Sequence, residues 1–489
     1  QERPPRVDDL DWKPEKARNF GERVMGIWTD LLARMPSSPV HRREGWKAVD
    51  EAVACEVPDA PMSIDAIGDY LERATEHSTF CGHPRFMAYI TGAGTVPGAA
   101  ADLLAAALNQ NVGGWILSPA ATSIELRLTR WFAQQMGLPD GAFGLMVSGG
   151  AMATFTALKA ARDAAAGHEA RKRGLGAKKL AFYMSSEGHA VIERAADMLG
   201  MGTDAVRKIP VDDAYRMRVD ALEAEVAKDV AAGITPAAIV GTAGTVATGA
   251  LDPLAQIAAV CKKHGAWFHV DGAYGALGVL APELRPMYAG LELADTIAFD
   301  PHKWLYTPHS GGCVVARDPQ RLVDSFAVRP TYVQQDKDHT GAGIDLSLMG
   351  PQFSRGFSAL KVWVSLLAHG RAACAKRIAH DVALCKYMAE RVDAHPELER
   401  MSDVTLSICC FRYRPAGEHS REYLDQLNEK LMNEIQVDGR AFCSNAVLRG
   451  GYALRACIVN FRTEADDVDA LLATAVDIGR RLHQNWRSA

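Results

Sequence analysis

The sequence is short of most features that mark special classes of protein. It has no CxxC pair and no Cys/His set at zinc spacing, so no metal site is expected. Its ten cysteines are scattered from Cys55 to Cys457, which reads as the reduced thiols of a cytosolic enzyme. No apolar run reaches the roughly 18 residues of a membrane span; the longest, Ala99 to Leu108, is interrupted by Asp102. The opening Gln1-Glu-Arg-Pro-Pro has no apolar signal core. The expectation is a soluble, cytoplasmic protein with no membrane partner. An excess of one charge is missing too. The 54 Lys+Arg and 59 Asp+Glu leave a net charge of −5, which argues against nucleic acid, because phosphate binding needs clustered Lys and Arg. The one dense basic stretch, Arg171 to Lys179, is poor in aromatics and reads as a solvated loop. There is no internal repeat and no low-complexity tract.

What is present is the composition of a long globular chain. Its 489 residues are 48% apolar and 23% charged, which excludes a largely disordered chain and allows a large core without staples. The length suits about three domains. Residues 1–95 are rich in Pro and charge, with helical patterns over Ala17–Met35 and Ser63–Thr75; they read as an arm that packs on something else. Residues 96–384 alternate short apolar strands with helices. Strands are expected at Leu145–Val147, Leu180–Met184, Ala238–Thr242, Trp267–Val270, Thr296–Phe299 and Cys313–Ala316, and helices at Met152–Arg162, Val191–Leu199, Val219–Ala232 and Pro253–His264. That alternation predicts a mostly parallel sheet covered on both faces. Residues 385–489 change style, with strands near Leu406–Phe411 and Tyr452–Phe461 and helices near Arg421–Ile435 and Glu464–Leu482, and read as a small α+β domain. The aperiodic stretch from Val328 to Phe353 reads as a lid or active-site loop.

In open α/β sheets, ligands bind outside the carboxyl ends of the strands, so the residues following each strand carry the functional signal. After Leu145–Val147 comes Ser148-Gly149-Gly150-Ala151, opening a helix. Small residues there let backbone N–H groups approach an anion, although a tight turn explains them equally well. After Leu180–Met184 comes Ser185-Ser186-Glu187-Gly188-His189, and after Trp267–Val270 comes Asp271-Gly272-Ala273. A lone histidine is usually structural, and an Asp in that place often caps the next turn. After Thr296–Phe299 comes Asp300-Pro301-His302-Lys303-Trp304. A lysine between an apolar strand and Trp304 is placed to be desolvated and nucleophilic, though most lysines are solvated surface groups. Singly, each bland reading wins or ties. Jointly they do not, because an aldehyde-bearing aromatic cofactor with a phosphate tail needs this whole set. It requires an amine for the aldehyde, a carboxylate for the ring nitrogen, a flat side chain for the ring face and N–H groups for the phosphate. That cofactor is pyridoxal 5′-phosphate (PLP).

The run His269-Val270-Asp271-Gly272-Ala273-Tyr274-Gly275, followed by Lys303 in Asp300-Pro301-His302-Lys303-Trp304, resembles the group II PLP-dependent amino-acid decarboxylases. This family includes the aromatic L-amino-acid, glutamate and histidine decarboxylases. His83-Pro84-Arg85-Phe86, Trp115 to Ala120, Gly241 to Thr245 and Ser358 to Trp363 fall in family order, so the resemblance covers nearly the whole chain. It implies the type I, aspartate aminotransferase-like fold and an obligate homodimer. It also implies roles. Lys303 matches the lysine that condenses with the cofactor, Asp271 the partner of the pyridine nitrogen, and His189 the histidine stacked on the ring. Gly150, Ala151, Thr245, Asp300 and His302 match cofactor-binding positions, and Ala273 matches a residue packed on the ring. Tyr332 matches the loop tyrosine that protonates the substrate carbon. A charge pair such as Asp271 with a pyridinium is worth roughly 4 kcal/mol at a separation of about 4 Å and an effective dielectric of about 20.

The resemblance also shows departures. Asp300 stands where the animal enzymes have Asn, and an acid there repels a phosphate unless it turns away or bonds locally. Val246 stands where Thr is common. On the expected substrate side, the aromatic-rich segment becomes Tyr89-Ile90-Thr91-Gly92. Near Trp115, an Ile and a Phe become Asn111 and Gly113, and His309 replaces an aromatic residue. Tyr89, Gly92, Trp115 and His309 are thus the candidate substrate contacts, in a more open and polar pocket. No added Arg or Lys stands out at these positions, so acidic substrates rank below aromatic ones. The expected activity is decarboxylation of an L-amino acid, with aromatic substrates preferred, to the primary amine and CO2. The alternatives are an oxygen-consuming aldehyde synthase on the same scaffold, against which Tyr332 argues, and a decarboxylase of a non-aromatic amino acid.

Overall fold

The computed structural model describes residues 10–328 and 343–487. In chain order the strands are β1 (Phe86–Met87), β2 (Phe143–Val147), β3 (Leu180–Ser185), β4 (Val206–Ile209), β5 (Thr235–Thr242), β6 (Trp267–Asp271), β7 (Thr296–Phe299), β8 (Gly312–Ala316), β9 (Leu398–Arg400), β10 (Ile408–Tyr413), β11 (Phe442–Leu448) and β12 (Gly451–Cys457). Seven of them form one sheet in the order β2-β8-β7-β6-β5-β3-β4. Its pairs are parallel except at β8, which runs antiparallel to both neighbours. This is the expected α/β architecture with a mostly parallel sheet. Every residue of β3, β7 and β8 is buried, so these strands read as continuous apolar runs, as strands covered on both faces do.

Ala-rich Gly150–Ala166 is the helix that sits nearest the chemistry. Its small residues let it lie across β5, β6, β7 and β8, and its N-terminus opens at the carboxyl end of β2. Edge strand β4 was not expected. Its sequence, Val-Arg-Lys-Ile, is short and half charged, as edge strands often are.

The second sheet has the order β1-β11-β12-β10-β9. One of its two edge strands, β1, comes from the N-terminal segment and pairs parallel with β11 through Phe86↔Phe442. Residues 1–95 thus contribute a strand as well as helices. The expected strand over Tyr452–Phe461 ends at Cys457, after which the Ile458 amide turns to the Ser407 carbonyl. The helix Ala359–Asp393, broken at Gly370, serves both sheets. Cys374, Ala375, Ile378 and Val382 lie in the core of the large sheet, and Leu384, Cys385, Met388 and Val392 in that of the small one. The expected division at 384/385 falls inside this helix.

Candidate active site

The carboxyl ends of β2, β3, β5, β6 and β7 converge at one edge of the large sheet. In register, Thr242 of β5 pairs with Asp271 of β6, and Asp271 with Ala298 of β7. Asp271 is 5% exposed. One of its oxygens accepts from the Ala273 amide at 3.2 Å, so the turn-capping role is present. Directly behind it, burial pushes His269 down to about 4, and its Nδ1 is 2.9 Å from Thr296 Oγ1.

Lys303 lies on a single helical turn, Pro301–Trp304, after β7. Trp304 is fully buried and stacks on Tyr274 at 5.2 Å, while the Lys303 side chain keeps 20% exposure. Its Nζ is 3.0 Å from Asp300 Oδ2. Asp300 thus bonds locally rather than facing solvent, and its buried Oδ1 has no partner among the described residues. His302 lies next to it, with Nδ1 2.6 Å from the Gly311 carbonyl oxygen and Nε2 3.8 Å from Asp300 Oδ2. His309 tilts against the His302 ring with centroids 4.3 Å apart. Burial lowers the pKa of both imidazoles.

The Gly149–Gly150 turn closes this side. A Cβ on Gly150 would come within 2.9 Å of Asp300 Oδ2 and 3.0 Å of the Ala273 methyl, so glycine is required for the close approach. The amides of Gly150 and Ala151 open the 17-residue helix Gly150–Ala166 and point out of its N-terminus, where an anion is favoured. The amides of Gly150 and Ala151 offer donors to a phosphate and the partly exposed lysine amine an attachment for an aldehyde, a set that fits a phosphate-bearing aldehyde.

Lys303 opens into a cleft of about 520 Å³ whose lining includes Tyr89, Ile90, His189, Val246 and Arg455. His189 is exposed at this cleft and is oriented by the Val191 amide, which donates to its Nδ1 at 3.0 Å. Tyr89 is 58% exposed. The other expected residues sit elsewhere. Gly92 lies behind the lysine, where a Cβ would come 2.3 Å from the His302 carbonyl oxygen. Thr245 is fully buried, its hydroxyl engaged with Thr248 Oγ1 and the Ala250 amide. Trp115 is on a turn whose amide donates to Asp345 and does not line this cleft. Tyr332 lies outside the described residues.

Sequence reasoning missed Arg455. It reaches the cleft from β12, 2% exposed. Its Nε donates to the Val246 carbonyl at 2.7 Å, and its Nη1 to Tyr89 O at 2.9 Å and Ser444 Oγ at 3.2 Å. It ties two cleft residues to the C-terminal sheet. The available signal was an arginine set between Leu454 and Ala456 in an otherwise apolar strand. Glu187, Ser444 and Asn445 also line the cleft, and burial raises the Glu187 carboxyl.

A mostly parallel sheet that gathers a lysine, a carboxylate and the amides of a helix N-terminus at one edge is the architecture of the type I fold of PLP enzymes. The chain belongs to the pyridoxal-dependent decarboxylase family, whose conserved-domain model matches residues 48–414. It is 30% identical over 462 residues to an aromatic-L-amino-acid decarboxylase of Bacillus atrophaeus, covering 94% of this chain and 95% of the relative. It is 27% identical to a phenylacetaldehyde synthase of a Rosa hybrid cultivar, covering 92% and 91%. The crystal structure of Oryza sativa TDC with PLP and tryptamine superimposes with a TM-score of 0.90 at 26% identity, covering 96% of this chain and 99% of that one.

Proposed function

We propose that the protein decarboxylates an aromatic L-amino acid to the primary amine and CO2. The observation that carries this reading is the convergence of Lys303, Asp271, His189 and the Gly150–Ala151 amides on a single sheet edge. Bound PLP supplies an electron-accepting ring for the pair left when the Cα–carboxylate bond breaks. Lys303 is the amine that holds it, and Asp271 the carboxylate that keeps its ring nitrogen charged. Gly150 and Ala151 offer N–H donors to the phosphate, with His302 beside them. His189 would cover one face of its ring, and Tyr89, Ile90 and Val246 would provide an apolar wall for an aromatic side chain. The similarity to the Bacillus decarboxylase supports the substrate class.

The phenylacetaldehyde synthase relative supports a second reading in which the product is an aldehyde. Tyr332 is the residue to which we assign proton return to the substrate carbon, which favours the amine. We also propose a cytoplasmic homodimer. Leu103, Leu104, Leu108, Ile116, Leu117 and Leu367 are all exposed, as apolar side chains of an interface would be in a single chain, and all ten cysteines are free thiols. Among the described residues, no helix is long and apolar enough to cross a membrane.

Incubating the PLP-loaded protein with a panel of amino acids, with CO2 counted and products identified by mass, tests the activity. Amines from aromatic substrates are expected, and aldehyde with peroxide as the main product overturns the leading reading. Lys303→Ala abolishes the visible lysine–cofactor absorbance and turnover; retention of either refutes the assignment. Tyr332→Phe shifts product toward aldehyde.

A further inference from the structure

Asp381 lies outside the cleft, yet it is fully buried in the helix Ala359–Asp393, where an unpaired acid is costly. Its partners explain it. Oδ2 accepts from Trp304 Nε1 at 3.0 Å and from the Tyr306 hydroxyl at 2.6 Å. Oδ1 accepts from Arg377 Nε at 3.0 Å. Trp304 ends the turn that presents Lys303 and Tyr306 follows it, and both are buried.

Tyr306 adopts a left-handed backbone with φ 55°. That conformation is unfavourable for a bulky side chain and persists only where the surroundings over-determine it. Here the Asp381–Tyr306 bond holds the side chain, while the Thr95 amide holds the Tyr306 carbonyl at 2.8 Å. The network continues outward. Arg377 Nη2 donates to the carbonyls of Asn460 at 3.1 Å and Thr463 at 2.5 Å. Asn460 Nδ2 in turn donates to the His83 carbonyl at 2.7 Å, and Thr463 Oγ1 to that of Pro84 at 2.6 Å. One carboxylate therefore joins the lysine-bearing turn, through Arg377, to the loop after β12 and to the N-terminal segment.

We propose that Asp381 is a positioning residue for Lys303, clamping the Trp304–Tyr306 segment from behind so that the amine is held in register with the cofactor. The inference rests on the reading of Lys303 as the cofactor-binding amine. Removing the clamp lets the turn relax, and a small displacement of a reacting group is expensive in rate.

The test uses the PLP-loaded protein with Asp381→Asn, and Tyr306→Phe as the milder variant in case the first does not fold. For each, kcat per cofactor-bearing site, KM, the thermal midpoint and the pH titration of the visible lysine–cofactor absorbance are measured. In at least the milder variant, kcat is expected to fall about tenfold or more at nearly constant KM. The absorbance titration is expected to move by about half a pH unit or more, because the amine's surroundings change. If only the thermal midpoint falls, while kcat per loaded site and the titration match the parent, Asp381 is merely structural and the proposal is overturned. Lys303→Ala separates the two failures: a visible band that survives it removes the reading of Lys303 itself, whatever the Asp381 variants do.

Discussion

Gly92→Ala tests how closely the backbone of the lysine-bearing turn is held. The added Cβ would lie 2.3 Å from the His302 carbonyl oxygen and 2.7 Å from that of Lys303, while ordinary contacts begin near 3.4 Å. Both neighbours are backbone, so no flexible side-chain end can swing away, and the turn must retreat by about 1 Å. A displacement of that size at a reacting group costs on the order of 100-fold in rate, or about 2.7 kcal/mol of barrier. Overpacking adds a stability loss of about 1–3 kcal/mol. The assay is single-turnover CO2 release at saturating PLP, with the cofactor-bearing fraction read from its absorbance. Gly21→Ala is the control, since a Cβ there meets nothing within 4 Å and the residue lies within the helix Pro14–Arg34. If loaded Gly92→Ala enzyme keeps kcat within about twofold of the parent, the turn is more compliant than its contacts imply and the reasoning fails.

Asp300→Asn removes a negative charge beside the Gly149–Gly150 turn and the partner of Lys303 Nζ; PLP affinity of the cofactor-free protein is expected to rise about tenfold, measured by fluorescence titration, and a weaker affinity would show that the acid helps binding. His269 has its folded-state pKa lowered by burial from 6.5 to about 4, so the unfolded chain binds the extra proton between those values. Its contribution is therefore complete above pH 6.5 and is lost as pH falls toward 4, to the extent of about 3 kcal/mol. The stability difference between parent and His269→Asn should shrink on acidification, and urea unfolding showing a pH-independent gap would contradict this. Arg355→Ala leaves Glu125 fully buried beside an empty site and should cost about 3–5 kcal/mol in denaturant unfolding, with a double replacement by apolar residues recovering much of it.

The parts legible in the sequence were those where a local signal coincides with a global one. Lys303, Asp271, His189 and Gly150 each follow an apolar run that reads as a strand, and strand ends are where a parallel sheet binds ligands. The helices expected near Ser63–Thr75 and Arg421–Ile435 are present, and the structure shows Ser63 and Ser420 capping them by accepting from the amides of Ala66 and Tyr423. Strand β11, Phe-Cys-Ser-Asn-Ala-Val-Leu, was missed because its polar centre and mixed exposure do not resemble a buried run. Arg455 and Asp381 were illegible for another reason. Each lies inside a regular element, and its meaning comes from partners hundreds of residues away or on another element. The Asp300–Lys303 pair shows the converse case: the sequence exposed the charge conflict, and only the fold shows which neighbour resolves it.

The helix shared by the two sheets bears on how such a chain can be re-engineered. Its first part is shaped by one set of neighbours and its last turns by another, so residues 385–489 are not an interchangeable cassette. A chimaera joined at 384/385 would graft a foreign second half onto a native first half within one rod, setting native Leu384 and Met87 against whatever sheet arrives with it. Recombination between homologues should therefore tolerate crossovers in the loop before Ala359 and select against those between Ala359 and Asp393.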